Sequence, residues 1–269
     1  LVRWRQEARS RSVRPFGAVP CRNDSFRPRP EPMQKSTLLA LIYALFPLLV
    51  CTDLALFTFA RDWHLRVVVG EDRAIEWLTF SFFLGAALAT LALVRNHAAR
   101  MNRRVLCILL GLSVFYVVCA GEEISWGQRV FGFATPEAII EHNQQQEFNI
   151  HNLRLPVLHP RDIFGLYVYL YGIALPLLIG WRSRARSQNW QGWVFHPGIA
   201  GCFLFAEGVN AVRDPLCQYL TGRIEPALQT AACNHIEESV EMYWALAAVC
   251  GTLLLHRFWR ESARRPRRL

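Results

Sequence analysis

Three signatures of site chemistry are missing from this sequence. Without HExxH, no helix presents two zinc-binding histidines around a catalytic glutamate. Without GxSxG, Ser125 does not stand on a nucleophile elbow, and Ser239 reads as a helix-surface hydroxyl. Without CxxC, the eight cysteines offer no adjacent thiolate pair for zinc. The chain also shows no clear internal repeat, which weighs against a carrier built from two related halves. Lysine is nearly absent, Lys35 standing against 29 arginines. Acidic residues are missing from two loops, "RNHAARMNRR" and "WRSRARSQN".

What is abundant is apolar. Of the 269 residues, 52% are hydrophobic, and they fall in long runs with the charges between them. The net charge of +9 therefore does not indicate nucleic acid, whose binding needs a basic face on a soluble core; basic residues flanking apolar runs are a membrane pattern. Residues 1–32 have neither helical nor strand periodicity and hold eight arginines. They read as an upstream extension or a disordered basic arm and are kept out of the fold argument. Residues 33–260 form the membrane domain and 261–269 a basic tail.

A span needs about 20 mostly apolar residues. Six segments come close: Thr37–Ala60, Ile75–Val94, Val105–Ala120, Ile163–Trp181, Trp193–Val212 and Val240–Phe258. The fifth contains Pro197, where a kink is expected. The fold class is all-α, a polytopic bundle of about six transmembrane helices plus a short interfacial helix. Arginine-rich loops mark the cytoplasmic side, which places both termini in the cytoplasm. Regions 61–76, 122–162 and 207–241 then lie together on the other side and hold 16 of the 21 acids.

That acidic layer is the candidate site. "GEEISWGQ" ends the third span with Glu122 and Glu123. "TPEAIIEHNQQQEFNIHN" predicts a helix from Pro136 to about Glu147, and its continuation would put Glu147 and His151 on one face. "HIEESVEMYWALAAV" opens the sixth span, with His235, Glu238 and Glu241 along one side. "EDRAIEWLTF" supplies Asp72 as an N-cap and Glu76, and "FAEGVNAVRD" supplies Glu207, Asn210 and Asp214. Ionisable groups within a membrane normally face a partner or a wet cavity. The expected metal ligands are Glu123, Glu147, His151, His235 and Glu238, around zinc or iron. Such an ion would activate water, with Glu122 or Glu241 as general base. Glu76, Gln128, Asn152, Glu207 and Asn210 are expected in support. The alternative is a structural network, with helix dipoles favouring Glu76 and the "HIEES" acids and Arg129, Arg154 and Arg213 as counter-charges. Cys217 and Cys233 share the last outer loop and are a disulfide candidate.

"EDRAIEWLTF", "GEEISWGQRVFGFATPE", "NQQQEFNIHN" and "EESVEMYWAL" resemble segments of a group of bacterial multi-pass membrane proteins that has no established activity. The resemblance covers most of Met33–Phe258 and implies an inner-membrane protein without naming a reaction. Looser likenesses are to intramembrane hydrolases of the alkaline ceramidase type and to CAAX-type proteases. The chain departs from both, having six spans rather than seven and Arg129 two places too late for EExxxR. The expected function is a metal-dependent hydrolase acting on a lipid or lipid-linked substrate at the extracytoplasmic face. The alternative is a non-catalytic solute or ion carrier, or a subunit of a membrane assembly.

Overall fold

A computed structural model describes residues 33–60, 63, 74–143, 146–153, 160–185, 192–223 and 225–264. Among them the secondary structure is helical, apart from one isolated bridge between Asn143 and Leu153. Helix α1 is Met33–Phe59, α2 is Ala74–His97 and α3 is Arg103–Glu123. Two short pieces follow, α4 (Gln128–Phe131) and α5 (Glu137–Ile140). Helix α6 is built from Pro160–Leu166, a π-helical stretch Tyr167–Ala174, and Leu175–Ala185. Helix α7 is Ile199–Leu220 and α8 is Pro226–Arg264. Asp72, Arg154 and His159 and the tail beyond Arg264 lie outside the described residues, as do residues 1–32.

Many large apolar side chains face outward. Leu88, Leu110, Val114, Leu170, Leu178, Leu204 and Leu253 are all exposed. So many exposed apolar side chains on long helices are compatible with a membrane-facing surface. Where helices meet, small side chains allow close approach: Ala86 and Ala87 on α2, Ala206 on α7, and Ala245, Ala247 and Ala248 on α8 are buried. Helix α8 packs against α2 and α7, and α2 against α3. Ser113 of α3 donates to the Ala87 carbonyl at 3.2 Å, and Tyr116 and Tyr167 share a hydroxyl contact of 2.9 Å. Gly172 in the π-helical stretch has no room for a side chain, since a Cβ would sit 2.8 Å from the Phe203 ring.

Four segments are long and apolar enough to cross a membrane: Ala74–Arg100, Arg103–Glu123, Asp162–Trp181 and Pro226–Ala263. The fifth expected span falls short of that. Helix α1, 27 residues long, includes the apolar stretch Ala40–Asp53 among the described residues. The fifth run does not stay helical through Pro197: residues 192–198 are turns, and α7 starts after Gly198. Pro197 is therefore at the entrance of α7 and not within it, where Pro215 stands instead, and the helix carries Glu207, Arg213 and Asp214 in place of the apolar residues left outside. The sixth element is longer than expected. Because α8 begins at Pro226, Glu238 and Glu241 lie more than three turns inside it, beyond reach of the helix N-terminus. The macrodipole does not account for them.

Three helices carry a glutamate and an arginine at similar separations. At 1.5 Å per residue, Glu76 and Arg95 on α2, Arg104 and Glu122 on α3, and Glu241 and Arg257 on α8 are each separated by roughly 24–28 Å. That is close to the thickness of the hydrocarbon core.

Candidate functional site

The end of α3 turns sharply. Ser125, Trp126 and Gly127 follow one another at φ 45°, 55° and 75°. For the serine and tryptophan this conformation costs about 1–2 kcal/mol each. It returns the Trp126 ring over Gly121, where a Cβ would lie 2.9 Å from the indole. The indole N–H then donates to Glu122 Oε1 at 2.6 Å. Glu122 Oε2 accepts from the backbone amides of Ile150 at 2.5 Å and His151 at 2.8 Å, and His151 Nδ1 lies 3.4 Å from it. Glu122 is thus a buried anchor for the distant segment 146–153.

The other residues of "SWGQ" extend the same clasp. Ser125 Oγ donates to Glu147 Oε2 at 2.7 Å and accepts from Asn149 Nδ2 at 3.3 Å. Gln128 Oε1 accepts from the Phe148 amide at 2.8 Å, and its Nε2 donates to Thr135 Oγ1 at 2.7 Å. Thr135 in turn donates to the Gln146 carbonyl at 2.9 Å. Asn143 Nδ2 donates to Asn149 Oδ1 at 2.8 Å. The helix expected to run from Pro136 to about Glu147 stops at Ile140, because these asparagines bond the backbone and each other in place of a helical ladder. Glu147 and His151 consequently share no helical face: one turns to Ser125, the other to Glu122.

The histidines of the expected metal set are engaged separately. His151 sits beside Glu122, while His235 Nε2 lies 2.5 Å from Asp53 Oδ2, tying α8 to α1. Among the described residues, no three His, Cys, Asp or Glu side chains stand together at metal-ligand spacing. The mixed carboxylate–imidazole set therefore does not fit one ion in this arrangement. The acids converge more closely. Glu123, half-buried, has Glu241, Glu238, Glu76 and Glu122 near enough to act on its charge, so α2, α3 and α8 each contribute.

Beside this cluster is a cavity of about 440 Å³ between α3, α6, α7 and α8. Its apolar wall includes Phe115, Val118, Ile163, Phe164 and Trp244, and its polar end Glu122, Glu123, Glu237, Glu241, Arg213 and His151. Val118 and Ile163 are exposed at its rim. Arg213 bonds Asp214 at 3.0 Å and Glu237 at 3.3 Å. The Trp244 N–H is buried and has no hydrogen-bond partner among the described residues.

Of the supporting residues, Asn210 lines the cavity and Asn152 is buried in the 146–153 segment. Gln128 belongs to the clasp. Glu207 lies apart, accepting from Tyr169 at 2.6 Å. Cys217 and Cys233 form a disulfide joining α7 to α8. The side chain of Arg129 lies outside the described residues. Two partners escaped sequence reasoning. Asp53 was detectable as the lone charge in the first span, a rarity there. Asn143 carried no signal, because its role depends on a contact made only in the fold. No family profile, curated protein or solved structure matches the chain.

Proposed function

We propose that the chain is a six-span inner-membrane hydrolase that takes a lipid or lipid-linked substrate at the extracytoplasmic face, with both termini in the cytoplasm. One observation carries this reading: the cavity joins an apolar wall and an exposed apolar rim to a carboxylate-rich end at the depth where the spans terminate. An amphiphile entering sideways between α3 and α6 would keep its chain against Val118 and Ile163 and bring its polar bond to Glu123 and Glu241. Ligand sites elsewhere share this composition, mostly apolar with a few convergent polar groups.

Glu123 and Glu241 are assigned as an acid–base pair. One carboxylate takes a proton from the attacking water, and the other, protonated, gives one to the leaving atom, so the products are those of hydrolysis and the pair exchanges roles by one proton. Zinc or iron is not given a part, since the histidines expected to hold it are committed to Glu122 and Asp53. The test is turnover of a labelled membrane-lipid extract by the purified chain. Glu123→Gln and Glu241→Gln should each lower the rate about 100-fold or more without lowering the unfolding temperature. Equal rates in wild type and both variants would sink the assignment.

The carrier reading has one specific support. The π-helical stretch Tyr167–Ala174 interrupts the α-helical ladder of α6 beside the cavity, and such interruptions gather at functional sites. A carrier would move a labelled solute across vesicles without changing it chemically.

A further inference from the structure

We propose that the arginine-rich end of the bundle, where α2 meets α8, is a docking surface for the head group of an anionic membrane lipid, with Arg100 and Arg260 as its contacts. Such binding requires that the helices cross a membrane and does not depend on any chemistry in the cavity.

At this end the chain does not balance its own charge. The loop "RNHAARMNRR" holds four arginines, "WRSRARSQN" three and the tail "HRFWRESARRPRRL" six, against one acid, Glu261. Residues 1–32 have the same bias, eight arginines against three acids. Glu261 is engaged on its own helix, bonding Arg257 at 2.9 Å. Arg100 and Arg260 are exposed, and neither has a hydrogen bond or ion pair among the described residues. Their counter-charge therefore comes from outside the fold.

Local packing sets these two arginines close to each other. His97, the last residue of α2, is buried against α8, its ring centroid 5.8 Å from that of His256 and 6.0 Å from that of Trp259. Arg100 follows His97 by three residues and Arg260 follows Trp259 directly, and both are near enough to act on a charge at the His97 ring. Neither ring nitrogen of His97 has an acceptor among the described residues, so even the enclosed polar group at this end meets no anion. His97 is too enclosed to touch a ligand; it joins the two helix ends and thereby places the arginines. The Trp259 N–H is taken up by the Gly192 carbonyl at 2.7 Å. The two guanidiniums are the exposed donors that remain.

Depth selects the ligand. Arg260 stands three residues beyond Arg257, roughly 4–5 Å further along α8. The head-group layer is about 5–7 Å deep on each side of the hydrocarbon, so a guanidinium there meets lipid phosphates. Trp181, exposed near the end of α6, is an aromatic anchor for the same layer. Arginines clustered immediately beyond a span attract anionic lipid over zwitterionic lipid, because each adds to the local potential.

The experiment uses the full chain in discs of phosphatidylcholine with a minor fraction of phosphatidylglycerol. Each lipid in turn carries a photoreactive group on its head, and adducts are mapped by mass spectrometry. At equal mole fraction, phosphatidylglycerol should label the peptides around Arg100 and Arg260 about tenfold more than phosphatidylcholine does. The ratio should fall toward one when Arg100→Gln and Arg260→Gln are combined. Arg100→Lys with Arg260→Lys keeps the charge and should keep the preference. Arg223→Gln, exposed at the acid-rich end, should leave it unchanged. Equal labelling by the two lipids, a preference that survives the glutamine pair, or one lost equally in the lysine pair overturns the assignment. Abolition of the preference by millimolar inorganic phosphate at constant ionic strength would make the ligand a soluble anion and overturn the lipid as its source.

Discussion

Two adjacent glutamates do different work because a helix turns about 100° between neighbours. Glu122 points to the loop and is taken up by the Trp126 indole and the amides of Ile150 and His151. Glu123 points into the acid cluster and the cavity. Glu122, expected as a general base, thus has its lone pairs directed at fixed donors and serves as a positioning residue. Hydrogen bonds to a buried charged acceptor are worth about 1.5–3 kcal/mol each, and a donor left without one costs about as much as a lost bond. Glu122→Ala should therefore destabilise the fold by about 3–5 kcal/mol, and Glu122→Gln by less. Thermal unfolding in detergent measures the loss, and amide exchange should show protection disappearing at residues 146–153 first. An alanine variant as stable as wild type would mean that the loop is held by something other than this carboxylate.

At the scale of elements, the acid-rich ends of the helices are joined by two different devices. On one side the α3 turn holds the 143–153 segment through side-chain hydrogen bonds. On the other, the Cys217–Cys233 disulfide holds α7 to α8 across a sequence separation of 16. Closing a loop of that length restricts the unfolded chain by about 3 kcal/mol. Reduction should expose two additional thiols to maleimide and make the intervening segment, 218–232, sensitive to protease, while the amides of 146–153 stay protected. Loss of protection in both places would show one cooperative cap instead of two. The disulfide could be read from the sequence because both cysteines fall in one stretch between the last two apolar runs. The clasp could not, although its residues are present in "GEEISWGQ" and "NQQQEFNIHN". Helix signals at Thr135, Pro136 and Glu137 are local and predict a helix; the termination at Ile140 comes from Asn143 and Asn149, whose partners are fixed only once the turn at Ser125 brings the segments together. Similarly, apolar periodicity finds the middle of α8 but not its start at Pro226, since the first three turns carry a polar face that hydropathy does not register.

At the scale of the whole molecule, arginine and glutamate sort to opposite ends of α2 and α3 and, apart from Glu261 paired with Arg257, of α8, separated on each by close to one hydrocarbon thickness. This much was legible in the sequence, because it depends on the order of charges and apolar runs and not on contacts. Which acids meet was less legible: Glu76, Glu123, Glu238 and Glu241 gather only because α2 lies between α3 and α8, an adjacency that the spans do not encode individually. The arrangement has a direct consequence for accessibility. If the arginine ends face the cytoplasm, the exposed Ala134, just beyond α4, lies outside, while the exposed Arg104 at the start of α3 lies inside. With the exposed Cys51 and Cys107 replaced by serine, Ala134→Cys should react in intact cells with a maleimide that cannot cross the membrane. Arg104→Cys should react only after the cells are permeabilised. The reverse pattern would put the carboxylate end of the cavity in the cytoplasm, and a substrate would then have to arrive from the inner leaflet.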